Sequence, residues 1–124
     1  MIGYVTLGTN DIGSAGKFYD ALLAEIGAKR MMETDKFIAW AVKPGEPALS
    51  VIEPADGNPS TVGNGVMVAI TMDAAEKVDA FHKKALELGG TDEGAPGPRG
   101  DGGFYAGYFR DLDGNKLNAF CMLK

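Results

Sequence analysis

The 124-residue chain runs through one order of patterns twice, and this repetition limits its fold more than any other feature. Ile2 to Leu7 is a β-rich run, followed by Asn10 and Asp11 as helix N-cap candidates. Ile12, Ala15, Phe18, Leu22 and Ile26 then recur at steps of three and four, the apolar stripe of an amphipathic helix, and Gly27 is its stop signal. Short strands are predicted at Arg30–Glu33, Phe37–Val42 and Ala48–Glu53, broken by Asp35 and by Pro44-Gly45-Glu46-Pro47. A polar stretch from Pro54 to Asn64 follows, and the order restarts. Val66–Met72 reads as a strand, and Asp73 with Glu76 as a capping box. Val78, Phe81, Ala85 and Leu88 form a second helical stripe, closed by Gly89-Gly90. After a Gly/Pro loop, Phe104–Arg110 and Lys116–Met122 read as strands joined by Asp111-Leu112-Asp113-Gly114-Asn115, a strong hairpin signal.

The halves align with a constant offset over long stretches. Phe81 follows Phe18, Asp73 follows Asn10 and Met67 follows Tyr4 by 63 positions; Tyr108 follows Trp40 and Asn118 follows Ser50 by 68. The expectation is an α+β fold in which two βαβββ modules form curved mixed sheets around a cavity, with the helices outside. One domain is expected over residues 1–124, with module one at 1–55, a linker at 56–64 and module two at 65–124.

Composition removes several function classes. The net charge of −5 lacks the basic stripe of a nucleic-acid-binding protein and weighs against an anionic membrane surface. No apolar run approaches the roughly 20 residues of a membrane span, and no signal-peptide pattern precedes Asn10. The lone cysteine, Cys121, excludes an intrachain disulfide, and a cytoplasmic location is expected.

The opening Tyr4-Val5-Thr6-Leu7-Gly8-Thr9-Asn10-Asp11 and the segment Phe18-Tyr19-Asp20-Ala21-Leu22-Leu23 resemble the first module of glyoxalase-like proteins. Ala80-Phe81-His82-Lys83-Lys84-Ala85, the run Leu88 to Arg99, and Arg110-Asp111-Leu112-Asp113-Gly114-Asn115-Lys116-Leu117 resemble the second. The chain is thereby similar to the vicinal-oxygen-chelate superfamily of glyoxalases, bleomycin-resistance proteins and extradiol dioxygenases. The resemblance implies a homodimer and a divalent metal held from the first and last strand of each module, usually by His, Gln and Glu. By register those positions are Tyr4, Ser50, Met67 and Asn118. Tyr, Ser, Met and Asn are poor ligands for a catalytic divalent ion, so no metal or other cofactor is expected. Glyoxalase I, extradiol dioxygenase and thiol-transferase chemistry lean on that metal.

Counting alternate residues from these positions gives the predicted cavity face: Tyr4, Thr6, Ser50, Ile52, Met67, Ala69, Thr71, Asn118 and Phe120, with Trp40 and Tyr108 at equivalent places. Apolar walls with sparse polar anchors suit a small molecule, and several ring faces suit a flat or cationic one. The expected ligand-binding residues are Tyr4, Trp40, Ser50, Met67, Tyr108 and Asn118. The same residue types at strand spacing also make a plain core. His82, the only histidine, is expected to be solvated on the second helix, and Cys121 buried on the strand face opposite Asn118. The loop from Gly94 to Gly103 reads either as a lid with Arg99 at its rim or as a long connection. Three readings follow: a metal-free, bleomycin-resistance-like protein binding a small ligand; a glyoxalase-like lyase or dioxygenase-type enzyme with displaced or absent ligands, for which Glu33, Asp35 and Glu53 are the nearest carboxylates; or a degenerate domain retained for assembly.

Overall fold

A computed structural model describes residues 1–123. The contacts divide it into two compact units, Met1–Val62 and the chain from Gly63 onward. The first unit contains β1 (Tyr4–Gly8), α1 (Ile12–Leu23) extended by a 3-10 turn at Ala24–Ile26, β2 (Lys29–Glu33), β3 (Phe37–Ala41) and β4 (Ala48–Ile52). The second contains β5 (Val68–Thr71), α2 (Ala75–Glu87), β6 (Thr91–Pro98), β7 (Phe104–Arg110) and β8 (Lys116–Met122). The sheets share one plan, β1-β4-β3-β2 and β5-β8-β7-β6, with the first pair of each parallel and the others antiparallel. No helix among the described residues is long and apolar enough to cross a membrane.

Helix α1 begins where the Asp11 carboxylate accepts the Ser14 N–H at 3.0 Å, and the chain leaves it through Gly27 at φ 80°. Its buried stripe, Ala15, Phe18, Tyr19, Leu22 and Leu23, covers one face of the first sheet, opposite Leu7, Ile38, Trp40, Leu49 and Val51. Each fully buried side chain of this kind contributes about 1.5–3 kcal/mol. In the second unit Val78, Phe81, His82 and Ala85 of α2 cover Phe109, Leu117, Ala119 and Cys121.

Three expectations are corrected. The expected Asp73 cap is absent: α2 starts after Ala74 with no side-chain cap, and Asp73 instead pairs with Lys77 one turn on, at 2.8 Å. His82 is only 5 % exposed, because it lies four residues after Val78, on the buried stripe of α2. The Gly/Pro segment from Gly94 to Gly103 is a connection only in its second half: its first half, to Pro98, belongs to the edge strand β6 (Thr91–Pro98), paired to β7 with two register shifts.

Candidate functional site

Residues directly paired across strands share a sheet face, so the registers sort the candidates. In the first sheet Thr6 pairs with Ser50 and Ala39 pairs with Ser50 on its other side. This face, turned away from α1, also carries Tyr4, a residue 63 % exposed at the start of β1. Its hydrogen-bonding groups satisfy one another: the Ser50 hydroxyl donates to Val5 O at 2.9 Å and lies 2.8 Å from Thr6 Oγ1.

Trp40 is not on this face. Its partner in β4 is Leu49, so it points to α1, tilted against Tyr19 at 5.6 Å. Its indole N–H donates to Asp20 Oδ1 at 2.8 Å, and the Arg30 guanidinium lies 5.9 Å from its ring centre. The cause is a slip of one position in the repeat. Asn118 pairs with Tyr108 as Ser50 pairs with Ala39, so Tyr108 corresponds to Ala39 and Trp40 to Phe109. A one-residue slip turns a strand's side chains to the opposite face.

In the second sheet Tyr108 and Asn118 stand directly opposite each other on the face turned away from α2, with Ala69 beside Asn118. Phe120 and Lys116 alternate with Asn118 on the same face, and Phe120 stacks on Phe104 at 5.5 Å. Met67 falls one residue before β5 and is 40 % exposed. Asn118 is 1 % exposed, and its Oδ1 has no hydrogen-bond partner, the only such buried side-chain atom among the described residues. Cys121 is buried on the opposite face, as expected.

Two cations reach the Tyr108 ring. The Arg99 guanidinium carbon lies 5.3 Å from its centre and the Lys116 ammonium 5.4 Å. Arg99 is pinned by donating to Gly97 O and Ala95 O, both at 2.8 Å. Gly94, opposite Tyr108, leaves the room: a Cβ there would sit 3.2 Å from Arg99 Nη2 and 3.4 Å from Tyr108 Cδ1. Arg110 on the same face is already paired with Glu93 at 2.7 Å, whereas neither Arg99 nor Lys116 has a carboxylate partner among the described residues. The sequence reading missed Lys116 beside the site. The signal was available, since Lys116, Asn118 and Phe120 are alternate residues of one strand.

The strand behind the site is fixed by His82. Its Nε2 lies 3.0 Å from Asp92 Oδ1 and 3.1 Å from Tyr108 O. Both partners are acceptors, so Nε2 carries the hydrogen and donates to them. The Asp92 carboxyl is held below its ordinary range first by the Gly94 N–H and then by His82.

The residues at the family's metal positions do not fit a catalytic divalent ion. The Ser50 hydroxyl is committed to Val5 and Thr6, Met67 offers only a thioether, and Tyr4 and Asn118 offer a phenol and an amide. No group of three or more His, Cys, Asp or Glu suited to a metal occurs among the described residues. Glu33 is spent on Arg30 at 2.9 Å and Asp35 lies in the turn before β3. Glu53 lines a cavity of about 320 Å³ in the first unit, with Thr9, Asn10, Lys36 and Asn58. None of the expected ligand-binding residues reaches that cavity. Its Asn10 side chain anchors the linker, accepting the Ser60 N–H and donating to Ser60 O, and Thr9 Oγ1 accepts the Asp11 N–H. With those groups engaged in holding the chain, the second-sheet face around Asn118 is the stronger candidate.

Relatives agree with the fold. The chain is similar to the crystal structure of a glyoxalase/bleomycin resistance protein from Albidiferax ferrireducens, with 34% identity, 98% of each chain covered and a TM-score of 0.88. It shares its fold with the fosfomycin resistance protein FosX from Listeria monocytogenes, at 17% identity and TM-score 0.73, covering 98% of this chain and 92% of that one. Lactoylglutathione lyase from Agrobacterium tumefaciens is as close in fold, at 19% identity and TM-score 0.71 with the same coverage. No curated protein matches the chain. The family model described as Glyoxalase/Bleomycin resistance protein/Dioxygenase superfamily matches residues 1–119, and with two βαβββ units of one topology the chain belongs to that superfamily.

Proposed function

We propose that the chain binds a small organic molecule on the second-sheet face around Tyr108 and Asn118, and does so without a catalytic divalent metal. The observation that carries this is the buried, unpartnered Asn118 Oδ1. An unsatisfied buried polar atom costs about 1–3 kcal/mol, and a ligand donor would recover that cost. Tyr108 supplies a half-buried ring on one side of it, and the small side chain of Ala69 stands on the other. Metal independence is supported by the donor chemistry at Tyr4, Ser50, Met67 and Asn118. Trp40 and Ser50 already have partners within the first unit and are left out of the contact set. The expected homodimer is carried along in this proposal, and sedimentation of the purified chain at monomer mass would remove it.

The test combines ligand and metal binding. Thermal shift with a broad panel of small aromatic acids, amides and amines is expected to reveal a stabilising ligand whose effect disappears in Asn118→Leu. Purified protein incubated with nickel, zinc, manganese or iron is expected to hold far less than one equivalent. A panel in which no compound raises the melting temperature, or stoichiometric tight metal uptake, overturns the proposal.

A further inference from the structure

We infer that the ligand of this face is a small organic carboxylate bearing a neighbouring hydroxyl or N–H. The inference rests on the ligand-binding role proposed for the Tyr108–Asn118 face, and it reverses the sign of charge expected from the sequence. Aromatic rings and a net charge of −5 favour a cation. The Tyr108 ring, however, already carries two cations of the protein itself, Arg99 at 5.3 Å and Lys116 at 5.4 Å. A cationic ligand there would meet like charge. Of the three basic residues around this face, only Arg110 is neutralised, by Glu93.

Arg99 is prepared for an anion. Its bonds to Gly97 O and Ala95 O hold the guanidinium in place without cancelling its charge, so little side-chain entropy is lost when an anion arrives. Lys116 approaches the same ring from β8, two residues from Asn118. Alternate residues of a strand stand roughly 7 Å apart. A carboxylate near Lys116 and Arg99 therefore places a substituent one or two bonds away within reach of Asn118, whose Oδ1 needs a donor. A hydroxy acid or an amide-bearing acid meets both demands; a simple fatty acid meets only the first.

Mandelate, its neutral amide mandelamide and the cation 2-amino-1-phenylethanol present nearly the same skeleton in three charge states. Calorimetric titration at low ionic strength, about 0.02 M, is expected to rank mandelate first, with the amide about tenfold weaker or worse. Lys116→Met and Arg99→Met are each expected to weaken mandelate about tenfold without lowering the melting temperature of the free protein by more than a degree or two. Raising the salt to about 0.2 M is expected to weaken mandelate and leave the amide unchanged. Equal affinity for mandelate and mandelamide, or undiminished mandelate binding in both variants, overturns the inference. If the amide or the amine binds at least as tightly as mandelate and Asn118→Leu abolishes that binding, the carboxylate class is wrong while the site stands. If none of the three binds, the carboxylate class falls and the broad panel alone decides the site.

Discussion

The Asp20 carboxylate accepts the Trp40 indole N–H at 2.8 Å and two N–H groups of Arg30, each at 2.8 Å. This one acid ties α1 to β2 and β3 while the Trp40 ring fills the space under Tyr19. Trp40→Ala is expected to destabilise the protein by about 3–5 kcal/mol, through lost burial and a residual cavity. Trp40→Phe keeps most of the ring and is expected to cost less, about 1–2 kcal/mol. Since Trp40 points to α1, Trp40→Phe is also expected to leave ligand affinity unchanged, which calorimetry on the folded variant checks. The sequence shows that a tryptophan with an N–H needs a partner, but not that Asp20 is that partner. Asp20 lies twenty residues away on a helix, and only the β3 register decides which way Trp40 turns. Asn118 was legible, because the last strand of the repeat has an unambiguous hairpin and pattern. Lys116 is legible as a neighbour of Asn118 on one strand face, but the meeting of its ammonium and the Arg99 guanidinium at the Tyr108 ring depends on the irregular β6–β7 register, which the sequence does not show.

Strand β6 is the element least visible in the sequence. Gly94, Pro96, Gly97 and Pro98 all disfavour a ladder, yet an edge strand tolerates proline and its bulges absorb the irregular register. What holds it is tertiary: the His82–Asp92 contact from α2 and the Arg110–Glu93 pair from β7. These contacts are 10 and 17 residues long in sequence, beyond the reach of local propensity. His82 itself was misjudged as solvated because a histidine reads as polar, although its spacing from Val78 puts it on the buried stripe. The close approach of α2, β6 and β7 has its own check at Gly107. A Cβ there would lie 2.9 Å from Pro96 Cγ and 3.2 Å from His82 Cδ2. Gly107→Ala is expected to displace the imidazole and cost about 1–3 kcal/mol, read as a lower denaturant midpoint. An unchanged midpoint would mean that β6 moves freely and is not the firm support of Arg99 described above.

Over the whole molecule, the repeat carried the fold into view: two helical stripes and matching strand runs imply two βαβββ units, and both are present. Charge is distributed on the same scale. Asp11, Asp20, Asp56, Asp73 and Asp92 all have carboxyls held below the ordinary 3.8, by the Ser14 N–H, Arg30, the Asn58 N–H, Lys77 and the Gly94 N–H respectively. A carboxyl depressed in the folded state binds fewer protons there than in the unfolded chain. Its stabilisation is therefore complete above the unfolded value of 3.8 and is lost as pH falls through the lower folded value. Tyr105 acts at the other end: its hydroxyl donates to Asp79 at 2.6 Å, and that acceptor raises its pKa above 10.0. A raised folded value gives stability that is complete below 10.0 and lost as pH rises through it. The melting temperature is thus expected to be flat through neutral pH, with an acid limb below 3.8 and an alkaline limb above 10.0. Asp20→Asn is expected to make the acid limb shallower and leave the alkaline one alone, while Tyr105→Phe does the reverse. Melting curves of the three proteins across the pH range read this directly. An acid limb as steep in Asp20→Asn as in the parent would mean that the Asp20–Arg30–Trp40 contacts contribute nothing to acid stability, and that the other four carboxyls carry it.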